Sequence, residues 1–197
     1  ETDIKEKRSE SLQRLLNAPG RAKDKPPFWE KMINKFPIHA SFIYRTLLRM
    51  AGIKVGNNVN FIGSVKVKLR GKPENIIIGD NVVLGKNVDL RNRENGKIIL
   101  NERVYLDDNV RIVAAREGKG EIDVGSELGA NTVINSGGDT FIGKFCMIGN
   151  NVNINSSSHC DAKSDFIKDQ PHQHGRVHIS DDVWFGGFAS VVMNTTI

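Results

Sequence analysis

The chain has 197 residues, of which 39% are hydrophobic, enough for one globular domain with an appendage. No stretch approaches the ~20 consecutive apolar residues of a membrane-spanning helix, and the first residues lack the apolar core of a signal peptide. Two cysteines suggest no disulfide framework, and the net charge of +5 is concentrated before residue 55, where 12 Lys and Arg stand against 6 Asp and Glu.

Residues 1–54 are predicted to form a helical segment. Helix-like spacing of apolar residues covers 3–17 and 38–51, and a connector rich in Pro, Gly and Lys separates them. We expect this segment to cap the following domain. The alternative is a peripheral membrane contact made by its basic and aromatic residues. Since neither a membrane span nor a signal peptide is visible, the predicted location is the cytoplasm, and a membrane contact would place the protein at the inner face of the membrane.

From residue 55 onward, apolar residues recur in alternating steps of four and two, so the pattern returns every six residues. Six sets begin at Val55, Ile78, Leu100, Val124, Ile142 and Ile179. Period six fits neither a helix nor a single strand, but it fits three short strands joined by tight corners. Residues 55–197 are therefore predicted to form an all-β, parallel β-helix of about six coils, with its open end covered by the N-terminal helices.

Four of the five intervals between successive coil starts exceed the 18 residues that three six-residue repeats require, and every excess follows the fifth apolar residue of a coil. The insertions cover 70–75, 91–97, 114–120 and, much the longest, 156–177. They should all emerge along one edge, and insertions in a solenoid usually collect on its binding face. The long loop 156–177 is therefore the first place to look for a site.

The long loop contains three histidines that are candidates for a functional role. His159 lies nearest the predicted coil, where a side chain is held more rigidly than at a loop tip, whereas His172 and His174 lie farther along. Zinc ligation is the competing interpretation of these histidines, but the loop lacks compact ligand spacing and Cys160 has no CxxC partner, so we expect no metal. We also expect no nucleic-acid partner, because no basic and aromatic surface is visible.

The period-six pattern, the segment 151–159 ending in His159, and the segment 179–187 containing Trp184 together resemble the hexapeptide-repeat O-acetyltransferases. That family includes the galactoside, maltose and capsule-sugar acetyltransferases. The resemblance implies a left-handed β-helix, a homotrimer, acetyl-CoA as acyl donor, and acetylation of a sugar hydroxyl, with a capsule or lipopolysaccharide unit among the candidate acceptors.

The resemblance also implies roles for particular residues. His159 would be the general base, and Trp184, Gly186 and Gly187 would bind the donor. Three polar residues about one coil before the histidine would face the acceptor: Asn131, Asn135 and Asp139. Met193 and Asn194 depart from the Pro-Gly that the family usually has at that point.

Two other functions remain open from the residues alone. A β-helix of this kind could serve as a non-catalytic scaffold or assembly subunit. A zinc enzyme resembling the γ-carbonic anhydrases would use the same coil.

Overall fold

The computed structural model describes Phe28, residues 41–162 and residues 165–197. The predicted helix at 3–17 and the connector after it lie outside the described residues. Within the second predicted helical stretch, a helix covers Ser41–Met50. It ends where Gly52 takes φ 90°, a left-handed conformation that favours glycine. None of the described helices is long and apolar enough to cross a membrane.

The helix packs on the first coil. Tyr44 and Leu48 are fully buried, and the Tyr44 ring stacks on Phe61 with 5.2 Å between ring centroids. A helix that covers the first coil keeps the open end of the solenoid from water. The predicted helical cap is confirmed for Ser41–Met50, and the rest of the predicted segment 1–54 stays a prediction.

Three parallel sheets form the sides of a triangular prism, and each complete coil contributes one strand to each sheet. The first sheet contains Lys54–Val55, Ile76–Ile78, Lys97–Leu100, Lys119–Ile122, Thr140–Ile142, Val177–Ile179 and Thr195–Thr196. The second contains Asn60–Phe61, Val83–Leu84, Tyr105–Leu106, Glu127–Leu128, Met147–Ile148 and Trp184–Phe185. The third contains Val65–Gly71, Val88–Glu94, Arg111–Ala114, Val133–Ser136, Asn153–Asn155 and Ser190–Val192. The predicted parallel β-helix of six coils is confirmed.

The predicted register of the fourth coil was wrong. Ile122, not Val124, pairs with Leu100 and Ile142, so Ile122 is the first inward residue of this coil. Val124 and Ala130 are only partly buried. The spacing pattern failed here because two interior positions of this coil are polar.

Those two positions are Ser126 and Thr132, and both are buried. Ser126 Oγ donates to Gly143 O at 2.6 Å and accepts from the Cys146 N–H at 2.9 Å. In the same way, the Thr132 hydroxyl donates to Gly149 O and accepts from the Val152 N–H of the next coil. A hydroxyl can occupy the core because these backbone groups satisfy both its donor and its acceptor.

The insertions emerge along the edge between the third and first sheets. The three short ones are largely strand and tight turn, with a 3-10 turn at Pro73–Asn75 after the first coil. The long insertion contains an antiparallel hairpin, Ser157–His159 with His172–His174, and a 3-10 turn at Ile167–Asp169.

Candidate functional site

The hairpin holds His159 by strand pairing. His159 lies opposite His172, and Ser157 lies opposite His174. Within the loop that joins the two strands, the buried Gln170 Nε2 donates to Ala162 O at 2.7 Å and to Asp165 O at 3.0 Å. His159 is therefore anchored at the edge of the solenoid by backbone hydrogen bonds.

Three histidine rings cluster on the hairpin. The centroids of His159 and His172 are 4.0 Å apart with the rings tilted by 45°, and those of His172 and His174 are 6.1 Å apart. Across the described ranges, no three His, Cys, Asp or Glu side chains gather closely enough to hold a metal ion.

A polar cleft of about 620 Å³ lies beside the hairpin and includes His159 and His172 in its wall. Arg93, Glu94 and Arg116 contribute the charged groups, and the Arg116 N–H donates to the Glu94 carboxylate at 2.5 Å. The remaining polar lining consists of amides and hydroxyls: Asn135, Ser136, Asn155, Ser157 and Ser158. Such a lining suits a ligand rich in hydroxyl groups and carrying negative charge.

A second cleft, of about 420 Å³, lies next to the first and is lined by Arg116, Asp139 and His174 together with several glycines. Asp139 Oδ1 accepts a hydrogen bond from the Lys119 N–H at 3.0 Å. Partial burial, with help from the charges of Arg116 and His172, lowers the pKa of His174 below its ordinary value of 6.5.

The three predicted acceptor contacts are thus not in one place. Asn135 lines the His159 cleft, and Asp139 lines the adjacent cleft. Asn131 lies at the corner between the second and third sheets with φ 61°. Its Oδ1 accepts a hydrogen bond from Asn109 Nδ2 at 3.1 Å, in a ladder of corner side chains that continues to Asn87.

Sequence reasoning missed Arg93 and Arg116 as site residues. A usable signal existed, because both lie in insertions predicted to share one edge with the long loop.

The predicted donor residues lie on another side of the prism. Trp184 is 75% exposed on the second sheet, where it pairs with Met147. A cleft of about 230 Å³ beside it includes Tyr105 and Glu127. The second sheet is opposite the edge that carries the hairpin, so a single chain does not bring Trp184 and His159 together.

Gly186 and Gly187 follow Trp184 at the end of this sheet. A Cβ built on Gly186 would meet no atom within 4 Å, and one built on Gly187 would lie 3.1 Å from Asn150 O. The backbone at Gly186 is therefore open to an approaching molecule.

The sequence matches no known family model and no curated protein. Among solved structures, it is similar to the hexapeptide-repeat containing acetyltransferase VCA0836 from Vibrio cholerae, with a TM-score of 0.57 and 15% identity over 94% of this chain and 88% of that one. The polySia specific acetyltransferase NeuO matches with 21% identity over 72% of this chain and 64% of that one, but its TM-score of 0.40 is too low to support an argument. The chain therefore has the left-handed parallel β-helix fold of the hexapeptide-repeat acetyltransferases.

Proposed function

We propose that the protein is an acyltransferase that uses acetyl-CoA to acetylate a hydroxyl group of a sugar, with His159 as general base. The observation that carries the proposal is the placement of His159. Its imidazole is anchored by strand pairing in the wall of a cleft lined by amides and hydroxyls, on a fold shared with an acetyltransferase.

The chemistry requires a base because a sugar hydroxyl is a poor nucleophile near neutral pH. The neutral imidazole of His159 takes the hydroxyl proton as the oxygen attacks the thioester carbonyl carbon. The carbon–sulfur bond then breaks, and the imidazolium gives the proton to the departing CoA thiolate. A backbone N–H near Trp184 to Gly187 would stabilise the oxyanion, a contribution of about 3 kcal/mol in typical cases.

The donor contacts proposed on the second sheet fit the apolar part of acetyl-CoA. Trp184 and Met147 present exposed apolar surface there, and the backbone at Gly186 is open. Asp107 and Glu127 in the same cleft would repel phosphate groups, so those groups would lie outside it.

The separation of these residues from His159 within one chain supports a homotrimer in which one copy supplies His159 and a neighbour supplies Trp184. Such an arrangement is heterologous, since different surfaces of the two copies meet, and a closed ring satisfies it.

Asn135 and Asp139 are the proposed acceptor contacts. Asn131 is less well supported, since its side chain is engaged in the corner ladder. The cytoplasmic location and the membrane contact of residues 1–54 also remain proposals.

A thiol-release assay with acetyl-CoA and a panel of sugars tests the proposal. His159→Ala should lower turnover by about 10²- to 10⁴-fold, because general-base catalysis contributes on that order. The matched control is His178→Ala, since His178 stacks on Phe141 at 5.0 Å outside the cleft and its loss should leave turnover near that of the parent. Circular dichroism would verify the fold of both variants.

Full turnover by folded His159→Ala would remove this residue from its role. If the unaltered protein releases no CoA with any sugar and calorimetry detects no heat on titration with acetyl-CoA, the scaffold hypothesis takes its place.

A further inference from the structure

The outward face of the third sheet is strongly basic in its first three coils. The strands Val65–Gly71, Val88–Glu94 and Arg111–Ala114 carry six cations and two acids. The cations are Lys66, Lys68, Arg70, Arg91, Arg93 and Arg111. The three later strands of this sheet carry no charged residue.

Residues paired across the strands connect this basic face with the cleft that contains His159. Lys68 pairs with Arg91, which pairs with Val113, and that row continues to Asn135 and Asn155. Arg70 pairs with Arg93 in the neighbouring row. Arg93 and Asn135 both line the cleft, so the cations and the cleft form one continuous surface.

The two acids on this face offset only two of its six cations. Asp89 forms an ion pair with Arg91, and the Glu94 carboxylate accepts the Arg116 N–H. The Nε of Arg111 is buried and has no hydrogen-bond partner among the residues that the structure describes.

Residues 55–197 contain 16 Lys and Arg against 17 Asp and Glu, so the cations of this face are a local cluster and not part of an overall excess. Five of the acids of the β-helix lie at the corner between the first and second sheets, away from the basic face: Asp80, Glu102, Asp123, Asp181 and Asp182. A surface that collects one sign of charge attracts and orients a ligand of the other sign.

We propose that the acceptor is an anionic carbohydrate polymer that lies along the third sheet, with its carboxylate or phosphate groups over the basic rows and one unit in the His159 cleft. The proposal rests on the proposed function and names its substrate class. Successive strands of the sheet are separated by about 4.8 Å, comparable to the length of one extended sugar unit, so a polymer parallel to the solenoid axis crosses about one strand per unit.

The same face is poorly suited to nucleic acid. Single-stranded nucleic acids are bound by aromatic side chains that stack on the bases, and the six strands of the third sheet contain no aromatic residue. The amides and hydroxyls of the cleft suit sugar hydroxyl groups.

Fluorescence anisotropy with labelled polygalacturonate, and with dextran of matched length, tests the proposal. The binding measurements use His159→Ala as well as the unaltered protein, so that binding is followed without turnover. We expect polygalacturonate to bind, dextran to bind at least about tenfold more weakly, and the affinity for polygalacturonate to fall as salt is raised.

Charge reversal locates the binding face. Lys68→Glu with Arg93→Glu should weaken polygalacturonate binding by about tenfold or more, because each surface ion contact contributes a factor of a few. The control is Lys54→Glu with Lys144→Glu, which changes the net charge equally on exposed positions of other surfaces and should have a smaller effect. If the first pair fails to fold, Lys66→Gln with Arg93→Gln replaces it.

Three results would overturn the proposal: equal affinity for dextran, equal weakening by both charge-reversal pairs, or tighter binding of single-stranded DNA of matched charge. Turnover of neutral sugars without polygalacturonate binding would reject the anionic acceptor and leave the proposed function intact. Polygalacturonate binding without CoA release from any sugar would reject the proposed function instead.

Discussion

The imidazole of His174 lies against the backbone of Gly137, between the two adjacent clefts. A Cβ built on Gly137 would lie 3.0 Å from His174 Nδ1. Partial burial disfavours the charged imidazolium, and the nearby Arg116 and His172 disfavour it further, so the pKa of His174 is lowered. This histidine is therefore held in its neutral form to a lower pH than a free side chain.

The lowered pKa adds a dependence on pH to the stability of the folded state, which the exposure of the His174 side chain to solvent keeps small. Unfolded His174 binds a proton more readily than folded His174. The contribution of this residue to the free energy of unfolding is therefore fully present well above pH 6.5, and it is lost as the pH falls through 6.5 towards the pKa of the folded state. His174→Gln should lose less stability than the parent between about pH 7 and about pH 5. Urea midpoints measured across this range check the prediction, and identical pH dependence in the two proteins would contradict it.

At the scale of the element, the hairpin depends on two neighbouring glycines for different reasons. A Cβ at Gly138 would run into the backbone of Gly175, at the end of the hairpin. The three atoms nearest to a Cβ at Gly137 belong to side chains: Ser157 Oγ at 2.9 Å, His174 Nδ1 at 3.0 Å and Ser157 Cβ at 3.0 Å. Backbone cannot move aside as side chains can, so a methyl group should be tolerated less well at Gly138 than at Gly137.

Gly138→Ala should destabilise the protein by about 1–3 kcal/mol, as overpacking against a fixed neighbour typically does. Gly137→Ala should change stability by less than about 1 kcal/mol but alter turnover, because it displaces side chains of the hairpin that carries His159. Urea unfolding and the thiol-release assay measure the two effects. Equal losses of stability in both variants would show that the hairpin is not held at Gly138.

At the scale of the whole molecule, the prism separates two surfaces that the proposed reaction needs together. Trp184 lies on the second sheet, and His159 lies at the edge between the other two sheets. A rigid solenoid cannot fold these surfaces onto each other, so only association of copies can unite them.

Complementation between inactive chains tests this. His159→Ala and Trp184→Ala, each strongly impaired alone, should recover about a quarter of the parental activity when refolded together in equal amounts, because a quarter of randomly formed interfaces would pair two intact residues. His159→Ala mixed with the chain carrying both substitutions is the control and should recover none. Absence of recovery in the first mixture, with trimers present by sedimentation, would reject a site shared between copies.

The local order of residues determined much of the architecture. Apolar residues in steps of four and two can all face inward only if the chain turns three corners per coil, so the period predicted the β-helix and the edge at which insertions leave it. The pattern failed in the fourth coil, where Ser126 and Thr132 replace apolar residues and are stabilised by hydrogen bonds to the next coil.

Within the candidate site, sequence reasoning selected His159 and Asn135, which line one cleft, but it did not select Arg93 or Arg116. It also grouped Asn131 with them, although that residue belongs to a corner ladder. Only the tertiary structure decided the strand pairing of His159, the continuity of the basic face with the cleft, and the separation of Trp184 from both. These features depend on contacts between residues distant in the chain, whereas the solenoid depends on a repeat readable within a few residues.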